Sequence, residues 1–361
     1  MTINIYDDEF DVKDILKEAI DKGASDIFFV AGSPYAFKIN GLIIKEGTER
    51  LTPDLCESII KKIYAESNCA DYEQFAKKGD DDFSISIGGI GRFRVNAYRQ
   101  RNSQAAVLRV VRFELPDYQE LHIPESIMNF ADEKKGMILV TGPADSGKST
   151  TLACVIDRIN TQRNCHIVTI EDPIEFIHSH KSGIISQREV LHDTEGYLTA
   201  LRAALRESPE VILLGEMRDP ETISTALTAA ETGHLLFSTL HTVGCVNTID
   251  RIIDSFEYNQ SQIRSQLSMV LNAVVCEQLV PGIDGKVIPV FEIMKLNTAI
   301  RSQIREGKLH LIENTMTSCK NEGMITMDEA LLNLVRQKKI TAETAMLYSV
   351  HPEIMGKRLQ V

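Results

Sequence analysis

The stretch GPADSGKST, residues 142–150, decides the fold of this chain. It follows an apolar run, GMILVT at 136–141, and precedes TLACVIDRI at 151–159, so the pattern predicts a buried strand, a glycine-rich loop and a helix. The spacing G-x-x-x-x-G-K-S in this setting is typical of a phosphate-binding loop. Backbone N–H groups and the positive end of the helix dipole would hold the phosphates of a nucleotide there.

The residue types of this loop predict separate roles. Lys148 is expected to reach the β and γ phosphates, and the Ser149 hydroxyl to ligate Mg²⁺. We therefore expect ATP and Mg²⁺ as ligands. The residues predicted to bind the nucleotide through this loop are Gly142, Pro143, Ala144, Asp145, Ser146, Gly147, Lys148, Ser149 and Thr150.

The bulk properties indicate a globular protein of more than one domain. The chain has 361 residues, of which 43% are hydrophobic, and a net charge of −12, which argues against a broad basic face for nucleic acid. No apolar run approaches the roughly twenty residues that span a bilayer, and residues 1–10 lack a signal-peptide core. We expect a cytoplasmic protein that meets a membrane only through partners. The seven cysteines form no C-x-x-C pair, so neither a zinc site nor a disulfide framework is predicted.

Periodicity divides the chain into an N-terminal domain at 1–115, a proline-bracketed linker at 116–127, and two further regions. The N-terminal pattern predicts an α+β domain around an antiparallel sheet. Residues 128–297 alternate between strands, at 136–141, 166–170, 211–215 and 235–240, and helical patterns, which predicts an α/β domain with a largely parallel sheet. Residues 298–361 are predicted to form a helical C-terminal subdomain.

Two other apolar runs end in acidic residues. The run VILLGE, residues 211–216, predicts a strand that ends near Glu216. A carboxylate at that position would hold Mg²⁺. Residues 167–175, IVTIEDPIE, offer Glu171 or Glu175 as the general base that activates a water. The sequence alone does not decide whether Glu171 or Glu175 is the general base.

Histidines and arginines form a third group of candidates. His234 and His241 stand at the two ends of the predicted strand 235–240, where a histidine could sense the γ phosphate. Arg92, Arg94 and Arg109 lie on predicted strands of the N-terminal domain. Such arginines usually form a solvated face, but a neighbouring chain could use them to supply positive charge to the transition state.

Together these segments resemble the secretion-type traffic ATPases, and among them the type IV pilus retraction ATPases. Residues 142–150 correspond to the Walker A motif of that family, 170–175 to its Asp box, 214–219 to its Walker B motif and 233–242 to its His box. The similarity extends through 22–26 and 91–96, and through 299–306, which is similar to a motif of the retraction enzymes.

The resemblance implies a PAS-like N-terminal domain followed by a RecA-like P-loop ATPase domain. It implies a homohexamer at the inner face of the cytoplasmic membrane, where ATP hydrolysis powers pilus retraction and twitching motility through an inner-membrane platform protein, without direct nucleic-acid contact. It further implies catalytic Lys148, Glu175 and Glu216, with Ser149 and Glu216 on the metal. The side chains that the resemblance adds around the nucleotide are Arg92, Arg94, Arg109, His234 and His241.

Three alternatives stay open at this point. The nearest is an accessory retraction, pilus-assembly or type II secretion ATPase of the same superfamily, although the paired-cysteine zinc insert common in the latter two is missing. The others are a switch that binds nucleotide without hydrolysis and a DNA translocase. One departure from the family pattern is Ala144-Asp145 in place of Thr-Gly. We expect Asp145 to take left-handed backbone angles with its side chain turned outward.

Overall fold

The structure is a computed structural model that describes residues 11–39, 41–47, 49–67, 70–111 and 115–359. The prediction that residues 1–10 lack a signal-peptide core lies outside the described residues. Residues 112–114, just before the predicted domain end at residue 115, also lie outside them. The chain divides into two compact units, one comprising Met1–Glu114 with Glu175–Ile177 and the other Leu115–Ile174 with His178–Val361.

The first unit is built on a six-stranded antiparallel sheet. Its strands are β1 (Asp26–Val30), β2 (Ala36–Ile39), β3 (Leu42–Lys45), β4 (Asp80–Ile87), β5 (Gly91–Gln100) and β6 (Ser103–Val111). Their order in the sheet is β3-β2-β1-β6-β5-β4. Its helices are α1 (Val12–Asp21), α2 (Pro53–Ala65) and α3 (Tyr72–Lys78). Of these elements, α3 is the one that the sequence pattern did not predict.

The helices of this unit cover one face of the sheet because their apolar residues recur at helical spacing. In α1, the side chains of Val12, Ile15, Leu16 and Ala19 are buried. Helix α2 begins as its sequence predicts: the Thr52 hydroxyl accepts a hydrogen bond from the backbone N–H of Leu55 at 3.2 Å, with proline at the first helical position.

The second unit is built on a seven-stranded sheet of order β13-β12-β7-β11-β10-β8-β9, parallel except where β12 pairs with β13. Its strands are β7 (Gly136–Thr141), β8 (His166–Glu171), β9 (Ile184–Glu189), β10 (Val211–Leu214), β11 (Leu235–Leu240), β12 (Leu271–Pro281) and β13 (Val287–Lys295). The four strands predicted from the sequence are present, within one residue at each end. The sequence pattern did not predict β9, β12 and β13.

Helices flank this sheet on both faces. They are α4 (Glu125–Met128), α5 (Lys148–Gln162), α6 (Tyr197–Ala204), α7 (Pro220–Glu231), α8 (Cys245–Asp254), α9 (Gln260–Val270), α10 (Thr298–Arg305), α11 (Ile312–Ser318), α12 (Met327–Arg336), α13 (Ala342–Tyr348) and α14 (Pro352–Leu359). Short 3₁₀ turns lie at Asn129–Asp132, Leu309–Leu311 and Lys320–Glu322. In the part of the chain that the structure describes, no helix is both long and apolar enough to cross a bilayer.

Strand β7 contributes to both hydrophobic cores of this unit. Successive residues of a strand point to opposite faces of the sheet. Met137 and Leu139 therefore pack into one buried cluster, while Ile138 and Val140 pack into the other. Buried residues of α10–α14, such as Ile300 and Leu331, belong to the first of these clusters. The helical region that follows residue 297 thus packs on the same core as the sheet.

A first prediction concerns the start of α2. Thr52→Ala removes the hydroxyl that accepts from Leu55, and we expect it to destabilise this helix by about 1 kcal/mol. Hydrogen exchange of the α2 amides should then be about fivefold faster, since 1 kcal/mol changes an equilibrium constant by about that factor. Thr52→Ser keeps the acceptor and should exchange at the wild-type rate. Equal exchange in the alanine variant would contradict the role of this cap.

Candidate nucleotide-binding site

The loop between β7 and α5 is shaped by the close approach of β12. Gly142 has φ 145° and Gly147 has φ 99°, angles that side chains rarely adopt. A Cβ on Gly142 would lie 2.1 Å from the backbone carbonyl oxygen of Glu277, and one on Gly147 would lie 2.4 Å from the Glu277 Oε1 atom. Both positions therefore require glycine. With glycine there, the backbone of the loop can turn tightly enough to surround a ligand.

The interior of this loop fits phosphate groups. The buried Lys148 ammonium donates hydrogen bonds to the carbonyl oxygens of Gly142, at 3.1 Å, and Pro143. The Ser146 hydroxyl is also buried, and among the described residues it has no hydrogen-bond partner. Buried hydroxyls normally have a partner, and a phosphate oxygen inside the loop would supply one. Because Lys148 already points into the same space, the residues present suit an anionic phosphate.

Asp145 adopts the left-handed backbone that its place in the loop predicts. Its φ is 58° and its side chain is exposed. An aspartate can take these angles at modest cost, so the loop keeps its shape without the glycine. The carboxylate nonetheless remains within a few residues of Lys148 and adds a negative charge to the surroundings of the phosphates.

Glu216 and His241 lie at the same edge of the sheet as this loop. The register of the parallel strands aligns Thr141 with Leu240, so Gly142 and His241 leave neighbouring strands at the same level. Glu216, 8% exposed, follows the adjacent strand β10. Ligands of open α/β sheets bind at this carboxyl edge. The loop that leads to Lys148 and Ser149, the residue Glu216 and the residue His241 therefore follow three neighbouring strands at one edge of the sheet.

The Glu216 carboxylate lies beside a guanidinium and an imidazole. It pairs with the Arg218 guanidinium, and its Oε2 atom is 3.7 Å from His241 Nε2. The hydrogen bond from Arg218 to Glu216 raises the pKa of that guanidinium. These residues line a small cavity of about 220 Å³ together with Thr239, Thr242 and Arg251. A carboxylate at the end of this strand suits a ligand of a divalent cation.

The two candidate bases differ in their surroundings. The half-buried Glu171 already accepts a hydrogen bond at 2.6 Å from the Thr169 hydroxyl, and one at 3.4 Å from the Gln187 amide. Glu175 is exposed, in a segment without helix or strand that follows a cis Asp172–Pro173 bond. The carboxylate of Glu171 is thus held by its own sheet, whereas that of Glu175 faces solvent.

His234 lies at the opposite edge of the sheet from the loop. Its backbone carbonyl accepts from the N–H of Gly136 at the start of β7, and its Nδ1 is 3.0 Å from the carbonyl oxygen of Ala229. Six residues of strand separate His234 from His241, a distance of about 20 Å. The structure therefore does not bring His234 to the phosphate-binding loop of its own chain. A role toward another copy in a ring stays a prediction.

The three predicted arginines share one face of the sheet in the first unit. Arg94 lies opposite Arg109 in the β5–β6 register, and Arg92 is two residues before Arg94. Arg94 donates to both carboxylate oxygens of Asp82, at 3.1 and 2.6 Å. Arg109 Nε donates to Asp26 at 3.1 Å, yet 71% of its side chain is exposed. Their binding of nucleotide stays a prediction.

Sequence reasoning missed a large cavity beside the loop, which we call the loop cavity. Its volume is about 710 Å³, within the range of small-molecule sites. It is lined by Glu120, Leu121, His122, Ile123, Gly147, Thr150, Thr151, Glu277, Leu279, Ile283, Asp284, Lys286, Val287, Ile288, Pro289, Lys338 and Lys339. Eight of these seventeen residues come from β12, β13 and the turn between them, and the sequence pattern did not predict these two strands.

Sequence reasoning also missed Glu277, the residue of β12 beneath the loop. It is 3% exposed and accepts a hydrogen bond at 2.9 Å from the Thr151 hydroxyl. Burial raises the pKa of its carboxyl to about 8. The available signal was a single charged residue inside the apolar run AVVCEQLV, because charged residues are rarely buried without a reason.

Comparison with known proteins assigns the family. A family model described as type II/IV secretion system protein matches residues 9–355. The chain belongs to this family. It is 40% identical to the Pseudomonas aeruginosa protein named type IV pilus retractation ATPase PilT, over 95% of this chain and 99% of that one. It is 46% identical to a Neisseria gonorrhoeae protein named twitching motility protein, over 76% of this chain and 74% of that one.

A solved structure extends this likeness to the fold. A crystal structure described as the pilus retraction motor PilT with bound ADP has a TM-score of 0.88 and 45% sequence identity, covering 97% of this chain and all of that one. The predicted α/β fold class and the predicted resemblance to pilus retraction ATPases are confirmed. The predicted ATP hydrolase activity is confirmed by the same likeness, and with it the binding of nucleotide.

A second prediction concerns Asp145. Its carboxylate belongs to the loop that would hold the phosphates of ATP, and like charges repel even when one of them is exposed. We expect Asp145→Gly to bind ATP a few-fold more tightly than the wild type, with the difference shrinking in high salt as screening increases. Titration with a fluorescent ATP analogue at low and high ionic strength measures both effects. Asp145→Asn, which keeps the shape and removes the charge, is the matched control. Unchanged affinity in both variants would refute the effect of the charge.

Proposed function

We propose that this chain is the ATPase subunit of a homohexameric motor that powers type IV pilus retraction by Mg²⁺-dependent ATP hydrolysis. The observation that supports it most is likeness along nearly the whole chain to relatives whose names specify pilus retraction. The candidate site supports the chemical part, because the phosphate-binding loop, Glu216 and His241 meet at one sheet edge.

In this proposal the phosphate-binding loop and the loop cavity each hold a different part of the nucleotide. The phosphates lie in the loop, where Lys148 exchanges the carbonyl oxygens of Gly142 and Pro143 for phosphate oxygens. The Ser146 hydroxyl gains its missing partner from the same phosphates. The base and ribose enter the loop cavity, whose apolar walls include Ile123 and Ile288.

The metal would be held by the Ser149 hydroxyl and the Glu216 carboxylate, and bound Mg²⁺ neutralises charge on the β and γ phosphates. Glu175 accepts a proton from the attacking water, because its carboxylate is exposed while that of Glu171 is engaged. His241, beside Glu216, reports on the γ phosphate through the shared carboxylate.

The ring is part of the same proposal. Hydrolysis stabilised by arginines from a neighbouring subunit would link each site to the next. Arg109 suits this role because most of its side chain is exposed, and Arg92 and Arg94 share its sheet face. We propose that the ring works in the cytoplasm, at the inner face of the cytoplasmic membrane, on an inner-membrane platform protein.

A third prediction separates the two candidate bases. Glu175→Gln should lower kcat by about 10² or more, the typical contribution of a positioned general base, while ATP binding is retained. Glu171→Gln should have a much smaller effect, since this side chain is already occupied by Thr169 and Gln187. Phosphate release and the affinity for a fluorescent ATP analogue are measured for both variants. A larger loss of kcat in the Glu171 variant would reverse the assignment.

A fourth prediction tests the cellular role. Deletion of the gene should give cells that carry excess surface pili and cannot twitch, because assembly continues without retraction. Complementation by the wild type should restore twitching, and complementation by Lys148→Ala should not. Surface pili are counted by electron microscopy and twitching is scored on agar. Bald cells would instead indicate a pilus-assembly ATPase, and normally piliated, motile cells would contradict the proposal.

A further inference from the structure

Glu277 is a buried acid that lies against the phosphate-binding loop, and the proposed chemistry does not use it. Its side chain lies between the first turn of α5 and the loop. The Oε2 atom accepts from the Thr151 hydroxyl at 2.9 Å, and Oε1 is 2.4 Å from the point that a Cβ on Gly147 would occupy. The carboxyl is thus held directly under the part of the loop where the helix begins.

We propose that Glu277 is a positioning residue that must carry a proton for the loop to hold a nucleotide tightly. The inference deepens the proposed function and rests on the nucleotide binding in the loop described above. In its neutral form, the acid supports Gly147 and Thr151 without adding charge to the site. In its ionised form, it places a second anion under the phosphates.

The reason is competition for the same positive groups. The amino-terminal end of α5 and the Lys148 ammonium are the features that favour a phosphate in the loop. An ionised Glu277 would be attracted to both, and it would repel the phosphates across a short distance in a poorly solvated space. Protonation removes this competition and leaves Lys148 available to the ligand.

The surroundings favour the protonated form at neutral pH. Burial raises the pKa of Glu277 to about 8, against the opposing effects of the Thr151 hydrogen bond and the Lys148 charge. A negative ligand in the loop would favour the proton further. The other titratable or charged groups around the carboxyl, from the elements packed against it and from the walls of the loop cavity, are Cys154, Cys276, Glu120, His122, Asp284, Lys286, Lys338 and Lys339.

The sign of the effect follows from linkage. The pKa of Glu277 is raised above its ordinary value, so the folded protein keeps this proton up to about pH 8. The affinity for nucleotide is therefore full below that pH and falls as the pH rises through it. Between pH 7.5 and 9.5, a requirement for one proton of this pKa weakens binding by roughly tenfold or more.

The test is the ratio of the ADP dissociation constants at pH 9.5 and pH 7.5, measured without metal by titration with a fluorescent ADP analogue. The wild type should give a ratio of about ten or more. Glu277→Gln, whose amide has the shape of the protonated acid and no charge to lose, should give a ratio below about two by the same linkage. His122→Asn tests the histidine on the cavity wall: whatever its affinity at pH 7.5, its ratio should equal that of the wild type. A ratio below about two in this variant would assign the pH dependence to His122 and overturn the proposal. A wild-type ratio in the Glu277 variant would overturn the proposal.

A second variant keeps the test decisive if the glutamine protein does not fold. Thr151→Val removes the hydrogen bond that favours the ionised carboxylate, so the loss of affinity should move to higher pH, whereas Thr151→Ser should keep the wild-type midpoint. An unchanged midpoint in Thr151→Val would also overturn the proposal. These readouts concern binding alone, so failure of the retraction proposal would be seen separately, as normal pili and motility in cells whose protein shows the expected pH dependence.

Discussion

The close approach of strand β12 to the phosphate-binding loop is the constraint on which the rest of the site depends. The backbone and side chain of Glu277 occupy the space in which Cβ atoms of Gly142 and Gly147 would lie. These two glycines are therefore required by packing as well as by their left-handed or extended positive-φ angles. Strand β12 packs directly against the loop, and its residue Glu277 also forms part of the wall of the loop cavity.

The parallel order of the central strands determines which side chains meet the loop. Strands β7, β11 and β10 are adjacent and end at one edge, so the residues that follow them come together although they are far apart in the sequence. Glu216 and His241 come to the loop's edge of the sheet in this way, and they lie 3.7 Å apart. His234 does not, because it stands at the start of the same strand that His241 follows. A motif can therefore be continuous in sequence and divided between two edges of a sheet.

The sequence predicted correctly those elements in which apolar periodicity, glycine or proline positions and capping residues all indicate the same structure. Strand β7, its loop and α5 have an apolar run, glycines and a helical pattern in order, and Thr52 with Pro53 marks the start of α2. Strand β12 was missed because it follows α9 without a glycine or proline, and its apolar residues do not alternate. Because β12 was missed, Glu277 and this strand's part of the wall of the loop cavity were missed as well. The pairing of Arg94 with Asp82, and of Arg109 with Asp26, depends on strand register, which periodicity alone does not provide.

Strand β7 is held on both of its faces, since alternate residues belong to two separate hydrophobic clusters. A strand packed in this way has few accessible backbone conformations before a ligand binds. The first residues of the loop, which continue from this strand, are restricted in the same way. Capture of a nucleotide then requires little additional loss of backbone entropy at this anchor. The order that this strand has before binding lowers the entropic cost of holding a ligand at the start of the loop.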